Sequence, residues 1–327
     1  MQMPFPYPLL NREQLIEQMS LFGDSGTPFL FVIDYKAEHG YVIRESELDN
    51  RFVRFDNSFD KINTQNTIKW KVKPITFEDY QEKFNYVQHQ IHLGNSFLTN
   101  LTQPTRIETN LSLLELFNAG TARYKLWLNG FFTALSPESF VKITDGVISS
   151  FPMKGTIDAT IPNAEEQILN NPKERAEHAT IVDLIRNDLS QVASEVEVKR
   201  YRFVEKIKTN QVDLLQVSSE ITGKLQANYA SQLGVVFMKL LPAGSICGAP
   251  KAKTLEIIES AENYRRGFYT GVCGWFDGKN LDSAVLIRFI EQNETSLIFK
   301  SGGGITAQSN LKNEYEELIQ KVYVPIC

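Results

Sequence analysis

Short apolar runs that suit β-strands and longer amphipathic stretches that suit helices follow one another along this chain without a regular order. Phe29–Ile33 is typical of a buried strand, because five successive apolar residues leave no polar face. Residues 77–93 are typical of a helix with Thr76 as its N-cap, and residues 172–189 of a second helix with Asn171 as its N-cap. Because regular βαβ units do not recur, the order predicts an α+β fold with mainly antiparallel sheets.

Length and linker composition favour one large domain. The chain has 327 residues, which is enough to bury a large core. No stretch rich in proline, glycine and serine is long enough to separate two folding units. We therefore expect one domain over residues 1–327, with residues 1–75 forming a short N-terminal portion that is integrated into the fold.

Charge and hydropathy argue against two classes of partner. The formal net charge of −5 and the lack of a basic stripe argue against nucleic-acid binding. No apolar stretch approaches the ~20 residues that a membrane span needs, so no membrane contact is expected. Three cysteines, Cys247, Cys273 and Cys327, form no paired framework and suit a reducing compartment. Since the N-terminus shows no signal-peptide pattern, we expect a cytoplasmic protein.

Two pairs of glutamates recur at helical spacing. Glu174 and Glu177 lie three residues apart shortly after Pro172, and Glu314 and Glu317 repeat this spacing near the C-terminus. The helix dipole or a solvated acidic face explains either pair taken alone. Brought together, the two pairs would repel each other unless a cation neutralised them. Mg²⁺ prefers oxygen ligands and leaves positions for substrate oxygens, so we predict a magnesium site.

Two glycine-rich segments offer backbone N–H groups to an anion. Residues 301–305 read Ser-Gly-Gly-Gly-Ile, and positive φ at the glycines would form a nest around a carboxylate. A tight turn between strand and helix is the alternative. Residues 244–251 read Gly-Ser-Ile-Cys-Gly-Ala-Pro-Lys, with Pro250 at the start of a helix whose N-terminus favours an anion. The Walker spacing is missing here, so nucleotide binding is poorly supported.

Two cationic residues complete the candidate site. Arg288 stands in the apolar run 285–290, which we interpret as a buried strand. It therefore needs an anionic partner, either a substrate carboxylate or a structural salt bridge. Lys154 precedes Gly155, and a lone lysine is usually a solvated surface charge. Together with the acidic pairs and the glycine segments, Lys154 suggests an enzyme that acts on a small polycarboxylate.

These segments, in this order, resemble the chorismate-utilising enzymes, which include anthranilate synthase component I, aminodeoxychorismate synthase component I, isochorismate synthase and salicylate synthase. The likeness covers about residues 94–321, within a catalytic core that we place at residues 76–327. It rests on Ser136-Pro137-Glu138 and on residues 152–156, 176–177, 181–189, 244–251, 266–271, 302–305 and 314–317. The resemblance implies an α+β fold with a single large domain, in which two antiparallel β-sheets form a sandwich flanked by helices and enclose the site.

The resemblance also implies roles for particular residues. It implies that Glu177 and Glu317 bind Mg²⁺ directly, while Glu174 and Glu314 help through water. Glu138 would act as general acid and base. The residues implied to bind the substrate, chorismate, are Arg288, Tyr269, Gly303, Gly304, Thr156, Gly155, Ser245 and Gly248.

Lys154 discriminates between branches of the family. The aminodeoxychorismate branch resembles Pro-Ile-Lys-Gly-Thr at this point, and the anthranilate branch carries alanine in place of the lysine. The resemblance therefore implies conversion of chorismate and ammonia to 4-amino-4-deoxychorismate for p-aminobenzoate and folate synthesis. Lys154 would attack the ring and expel the ring hydroxyl, and ammonia would then displace the lysine. Since Cys273 lacks the flanking glycine of a glutaminase nucleophile elbow, we interpret it as a core residue. We expect ammonia from a separate glutamine amidotransferase subunit.

Three positions depart from the family pattern. Leu98 stands where amine-transferring members carry glutamine and water-adding members carry lysine. Leu215 stands where relatives carry histidine, and Cys247 replaces a common threonine. Anthranilate synthase component I is the alternative within the family. The alternative from another class is a non-catalytic chorismate-binding regulatory subunit, which Leu98 and Leu215 keep open.

Overall fold

A computed structural model describes residues 4–56, 68–207, 213–293 and 296–325. The helices are α1 (Arg12–Asp24), α2 (Phe77–His92), α3 (Leu113–Ala119), α4 (Ala164–Asn170), α5 (Pro172–Ser190), α6 (Leu233–Leu240), α7 (Lys251–Ala261) and α8 (Leu311–Gln320). The first nine strands are β1 (Leu10–Asn11), β2 (Phe29–Ile33), β3 (His39–Arg44), β4 (Val53–Asp56), β5 (Trp70–Lys73), β6 (Leu98–Thr109), β7 (Tyr124–Leu128), β8 (Phe132–Ser136) and β9 (Ser139–Thr144). They are followed by β10 (Val147–Ser150), β11 (Met153–Asp158), β12 (Ser194–Ile207), β13 (Leu214–Lys224), β14 (Gly248–Ala249), β15 (Val272–Phe276), β16 (Leu281–Val285), β17 (Phe289–Gln292) and β18 (Leu297–Thr306).

Two antiparallel sheets organise these strands. Within the described ranges the first sheet has ten strands in the order β1-β3-β2-β15-β16-β9-β10-β13-β11, and β12 also pairs with β13. The second sheet has eight strands in the order β14-β6-β18-β17-β8-β7-β4, and β5 also pairs with β6. Each of these pairings is antiparallel. The first 75 residues contribute strands to both sheets.

Side-chain alternation along β2 sets the order of the layers. Phe29, Phe31 and Ile33 point to a core that also contains residues of α1, α5 and α6. Leu30 and Val32 point the other way, into a core shared with β7, β8 and β17 of the second sheet. Both faces of this strand are therefore buried. Burying one such side chain contributes about 1.5–3 kcal/mol, so β2 fixes the helix layer and the second sheet together.

The outer face of the second sheet is covered by helices as well. Residues of α2, α7 and α8 form one core with Leu101 of β6 and Ile305 of β18. Thr76 caps α2 by accepting a hydrogen bond from the backbone N–H of Asp79, as the sequence predicts. Asn171 caps α5 in the same way through Glu174, with Pro172 in the first turn. Both predicted helices are confirmed.

The predicted fold class is confirmed: two antiparallel sheets form a sandwich flanked by helices in a single α+β domain. None of the helices in the described ranges combines the length and the apolar character that a membrane crossing requires. The predicted strand over residues 285–290 is wrong. β16 ends at Val285 in the first sheet and β17 begins at Phe289 in the second, so the chain crosses between the sheets at this point.

Candidate active site

An open cleft lies where residues of both sheets meet. The centre of a water-sized sphere can occupy about 160 Å³ of it, which is room for a small-molecule ligand. It is lined by loop residues before β9 and β15, by the bulged part of β11 and by the middle of β18. Seven of the residues predicted from the sequence line it together: Glu138, Lys154, Ser245, Tyr269, Arg288, Gly303 and Gly304. The structure thus brings into one cavity segments that are far apart in the chain.

A β-bulge aims Lys154 into the cleft. Met153 pairs with Ser218 and Thr156 with Gln216, so two residues of β11 stand opposite one residue of β13. One of the two is Gly155, whose φ of +81° is a left-handed conformation that a glycine adopts without strain. Bulges beside active sites commonly redirect a side chain in this way. A methyl group added to Gly304 would lie 3.9 Å from Lys154 Nζ, which locates the ammonium above the glycines of β18.

Glu138 lines the cleft and is partly buried. Its Oε1 accepts a hydrogen bond of 2.6 Å from Ser245 Oγ. Burial raises the pKa of Glu138, while the bond from Ser245 and the charges of Lys154 and Lys321 act in the opposite direction. A carboxyl with a raised pKa holds its proton closer to neutral pH, which suits a general acid.

The glutamate pairs of α5 and α8 converge beside the cleft. The ammonium of Lys173 lies 3.8 Å from Glu177 Oε1 on α5 and 3.8 Å from Glu314 Oε1 on α8. Lys321 Nζ lies 2.6 Å from Glu317 Oε1. That the two glutamate pairs meet was only an assumption from the sequence. Lys173 contacts one glutamate of each pair, which shows that they do meet.

The pKa values of these carboxyls follow their surroundings. Burial raises the pKa of Glu177 and of Glu314, with opposing contributions from nearby lysines. Burial also acts to raise the pKa of Glu317. The charge and hydrogen bond of Lys321 and the charges of Lys173 and Lys154 together outweigh that effect, so the pKa is lowered. The Lys154 ammonium lowers the pKa of both Glu177 and Glu317, so the nucleophile candidate and the carboxylates are electrostatic neighbours.

The donor set fits Mg²⁺ in kind, because it offers only carboxylate oxygens. In the described part of the chain, however, no three histidine, cysteine, aspartate or glutamate side chains are close enough together to hold a metal ion. Lysine ammonium groups lie between the carboxylates instead. Lys173 thus lies against Glu177 and Glu314, one glutamate from each helix, where a divalent cation would otherwise be attracted.

Arg288 lies at the crossing between the two sheets and not inside a strand. Its φ of +51° is left-handed. The guanidinium donates through Nη1 to the backbone carbonyl of Lys321 at 3.1 Å, and it lies 4.1 Å from the centre of the Tyr323 ring. Tyr269, which is buried, lines the same part of the cleft. Burial raises the pKa of Tyr269, so its phenol is neutral and can donate a hydrogen bond.

The prediction of a glycine nest at residues 302–304 is wrong. All three glycines belong to β18 and pair in register with Thr102, Leu101 and Asn100 of β6, and none has a positive φ. Their lack of side chains matters for space. A methyl group on Gly303 would lie 3.6 Å from Glu314 Oε2 and 3.6 Å from Lys321 Nζ. The glycines therefore keep the floor of the cleft open beside the carboxylates.

Three further residues predicted to bind substrate lie outside the cleft lining. Thr156 is exposed on β11, and Gly155 forms the bulge. Gly248 lies in β14 with φ +133°, and a methyl group there would lie 1.8 Å from the carbonyl oxygen of Leu98. Gly155 and Gly248 are thus explained by backbone conformation and close packing.

The departures from the family pattern have clear locations. Leu98 is buried in β6 with its Cδ1 beneath Gly304, and a methyl group added to that glycine would lie 2.8 Å away. Leu215 lies on β13 opposite Ile157. Burial raises the pKa of the Cys247 thiol to about 11, so this thiol stays protonated. Cys273 is confirmed as a buried residue of β15, while Cys327 lies outside the described residues.

Sequence reasoning missed several residues of the site. Lys321 and Lys173 could have been found from their spacing of four from Glu317 and Glu177, because that spacing places ion pairs on one helix face. Asn100 also lines the cleft, and within the described ranges its buried Oδ1 has no hydrogen-bond partner. No sequence pattern marks Asn100, because its role follows from the pairing of β6 with β18.

A buried ion pair holds the walls of the cleft together. Arg266 donates to Glu262 through Nε at 2.8 Å and Nη2 at 2.6 Å. It also donates to the backbone carbonyls of Ile246 at 3.0 Å and Asn100 at 2.8 Å. Glu262 in turn accepts from the backbone N–H of Thr102. One guanidinium therefore connects β6, the segment before β14 and the segment before β15.

Known proteins share both the sequence and the fold. A family model described as chorismate binding enzyme matches residues 21–326. The chain belongs to the chorismate-binding enzyme family. A PabA-like protein of Haemophilus influenzae, itself uncharacterised, is 48% identical over 96% of this chain and 97% of its own length.

Two further family members extend the comparison. Aminodeoxychorismate synthase component 1 of Klebsiella aerogenes is 33% identical over 78% of this chain, which corresponds to 58% of that protein. The crystal structure of anthranilate synthase component I from Streptococcus pneumoniae superposes with a TM-score of 0.67 at 21% identity, covering 98% of this chain and 81% of that one. This last likeness confirms the fold.

Proposed function

We propose that this member of the family is an aminodeoxychorismate synthase component I, which converts chorismate and ammonia to 4-amino-4-deoxychorismate. The observation that carries the proposal is the position of Lys154. The bulge in β11 directs it into the cleft that Glu138 and Ser245 also line. An amine placed among acid–base groups in this way is suited to form a covalent intermediate. The relative from Klebsiella aerogenes supports the choice within the family.

The proposed reaction has two balanced steps. In the first, the neutral amine of Lys154 forms a bond to the ring carbon, the carbon–oxygen bond breaks, and Glu138 gives its proton to the departing hydroxyl, which leaves as water. In the second, ammonia forms the new carbon–nitrogen bond and Lys154 leaves with its electron pair. Glu138, now a carboxylate, takes one proton from the entering nitrogen. The amine and the acid are thereby restored.

The remaining cleft residues would bind the substrate carboxylates. Arg288 and Tyr269 offer N–H and O–H donors on one side of the cleft. Glu177 and Glu317 would hold Mg²⁺ directly, and Glu174 and Glu314 would help through water. When bound, Mg²⁺ would neutralise a substrate carboxylate and stabilise charge that develops on it.

We extend the proposal to a separate glutaminase subunit as the source of ammonia. The two cysteines in the described ranges, Cys247 and Cys273, are buried. Burial raises the pKa of both thiols, so neither supplies the thiolate that glutamine hydrolysis needs. Glutamine-dependent turnover in a mixture with the cognate glutaminase, together with co-elution of the two proteins, is the expected result. No complex and no glutamine-dependent turnover would contradict this part.

The direct test incubates the pure protein with chorismate, Mg²⁺ and ammonium and identifies the product by chromatography and mass. An aminated product that keeps the pyruvyl group is expected. Anthranilate would instead assign the protein to the other branch of the family. No conversion, even with a glutaminase present, would favour a regulatory chorismate-binding subunit.

Variants of Lys154 test the nucleophile. Lys154→Ala should lose most of the activity at low ammonium, and direct attack by ammonia should recover part of it at high ammonium. Lys154→Arg is the matched control, because it keeps the positive charge but is a poor nucleophile. If Lys154→Arg retained wild-type turnover, only the charge of Lys154 would be needed and covalent attack would be refuted.

A further inference from the structure

A second cavity shares Glu138 and Ser245 with the cleft. Both residues line both spaces, so the hydrogen bond between them forms part of the partition. We call this space the rear cavity. The centre of a water-sized sphere can occupy about 20 Å³ of the rear cavity, which is room for about one small molecule. Its other walls come from β9, β10, α5 and the end of α6.

The rear cavity is more enclosed than the cleft and mixed in character. Its polar side chains, besides the two in the partition, are Ser139, Ser150 and Asp188, which are only 5–6% exposed. Apolar side chains, among them Val141 and Leu240, form much of the rest of the wall. Such a wall disfavours an ion and admits a small neutral molecule that forms hydrogen bonds.

The hydroxyl hydrogens around the rear cavity are already committed to protein acceptors. Ser245 Oγ donates to Glu138, Ser150 Oγ donates to the carbonyl of Phe140 at 2.9 Å, and Ser139 Oγ donates to the carbonyl of Ser283 at 3.4 Å. What these hydroxyls still offer is lone pairs, and the carboxylate of Glu138 adds more. The site therefore selects a guest with more donors than acceptors.

We infer that the rear cavity is a binding site for ammonia, from which ammonia reaches the cleft past Glu138 and Ser245. Ammonia has three N–H donors and one lone pair, which matches a site of acceptors better than water does. Asp188 adds little net charge to the site, because Lys251 Nζ pairs with its Oδ2 at 2.8 Å. Burial raises the pKa of Asp188, and the charge and hydrogen bond of Lys251 act in the opposite direction.

This inference rests on the proposed function, because it assumes that ammonia is the second substrate. A nitrogen bound in the rear cavity also gives the proton that ammonia must lose a route to Glu138. A nitrogen held behind Glu138 can donate one hydrogen to that carboxylate after the hydroxyl has left. The same carboxylate then accepts the proton as the new carbon–nitrogen bond forms and the bond to Lys154 breaks. Chorismate can fill the open cleft while ammonia waits on the other side of the partition.

The test fills the rear cavity and measures the KM for ammonia and the KM for chorismate separately. Ser150→Val adds volume and removes a hydroxyl, and Val141→Leu adds volume but keeps every polar group. Ser150→Ala is the matched control, because it removes the same hydroxyl and leaves the space open. Thermal unfolding identifies the variants that fold, and either filled variant alone suffices for the test.

Both filled variants should raise the KM for ammonia about tenfold, the scale of one to two lost hydrogen bonds, and leave the KM for chorismate near that of the wild type. Ser150→Ala should raise it less than Ser150→Val does. An unchanged KM for ammonia in a folded, filled variant would overturn the inference, as would equal increases in Ser150→Val and Ser150→Ala. A wild-type protein that forms no aminated product would refute the proposed function itself, before the variants are compared.

Discussion

Removing the hydroxyl of Ser245 should shift the pH dependence of the reaction through Glu138. The 2.6 Å hydrogen bond from Ser245 Oγ stabilises the charged form of the Glu138 carboxyl and so opposes the effect of burial on its pKa. A hydrogen bond to a charged group contributes about 1.5–3 kcal/mol, and one pKa unit corresponds to about 1.4 kcal/mol. Ser245→Ala should therefore raise the pKa of Glu138 by about one to two units.

The assay is the pH profile of kcat/KM for chorismate at a constant concentration of free ammonia. Because Glu138 must be protonated to release the ring hydroxyl, kcat/KM falls as the pH rises through its pKa. Ser245→Ala should move this alkaline limb to higher pH, and Ser245→Thr, which keeps a hydroxyl, should leave it in place. An alkaline limb that stays put or moves to lower pH in Ser245→Ala would refute the assignment of Glu138 as the acid.

Three further predictions concern stability and the metal. Burial lowers the pKa of His178 from 6.5 to about 4, so below pH 6.5 the unfolded chain gains a proton that the folded chain does not. The free energy of unfolding of the wild type should fall as the pH drops from 6.5 to about 4, by about 3 kcal/mol more than that of His178→Gln. Urea titrations that show the same pH dependence for both proteins would disprove this. Arg266→Met should lower the free energy of unfolding in urea by about 3–5 kcal/mol, because Glu262 is left as an unpaired buried charge. Adding Glu262→Leu should recover part of that stability. A loss below about 1 kcal/mol in Arg266→Met would show that the pair is not needed for stability. Lys173→Met should bind Mg²⁺ more tightly than the wild type in calorimetry, because a competing ammonium is gone, and weaker binding would mean that Lys173 shapes the site instead.

Local rules predicted the starts of the helices well. The N-caps Thr76 and Asn171 and the proline after Asn171 mark helix starts through contacts within a few residues. The glutamate spacing on α5 and α8 follows from helix geometry in the same way. These features depend on neighbours in the chain, so the sequence alone contains the necessary information.

Features that depend on distant pairing were not predictable in this way. The three glycines of β18 carry no side-chain pattern, and only their register with β6, about 200 positions earlier, makes them a strand. Arg288 stands between apolar residues that belong to two different sheets, and an apolar run looks the same whether or not it crosses between them. The bulge at Lys154 likewise appears only when β11 is paired with β13.

The pairing of β2 with β15 has a consequence for how the protein is made. Phe31 and Gly274 face each other although about 240 positions separate them. At ~5–20 residues per second, a ribosome completes β2 roughly 10–50 s before it completes β15. During that time β2, which is apolar on both faces, has β3 beside it but lacks its second partner, and the nascent chain is exposed to aggregation and dependent on chaperones. We therefore expect soluble yield to depend more on translation speed and temperature than on the stability of the finished fold.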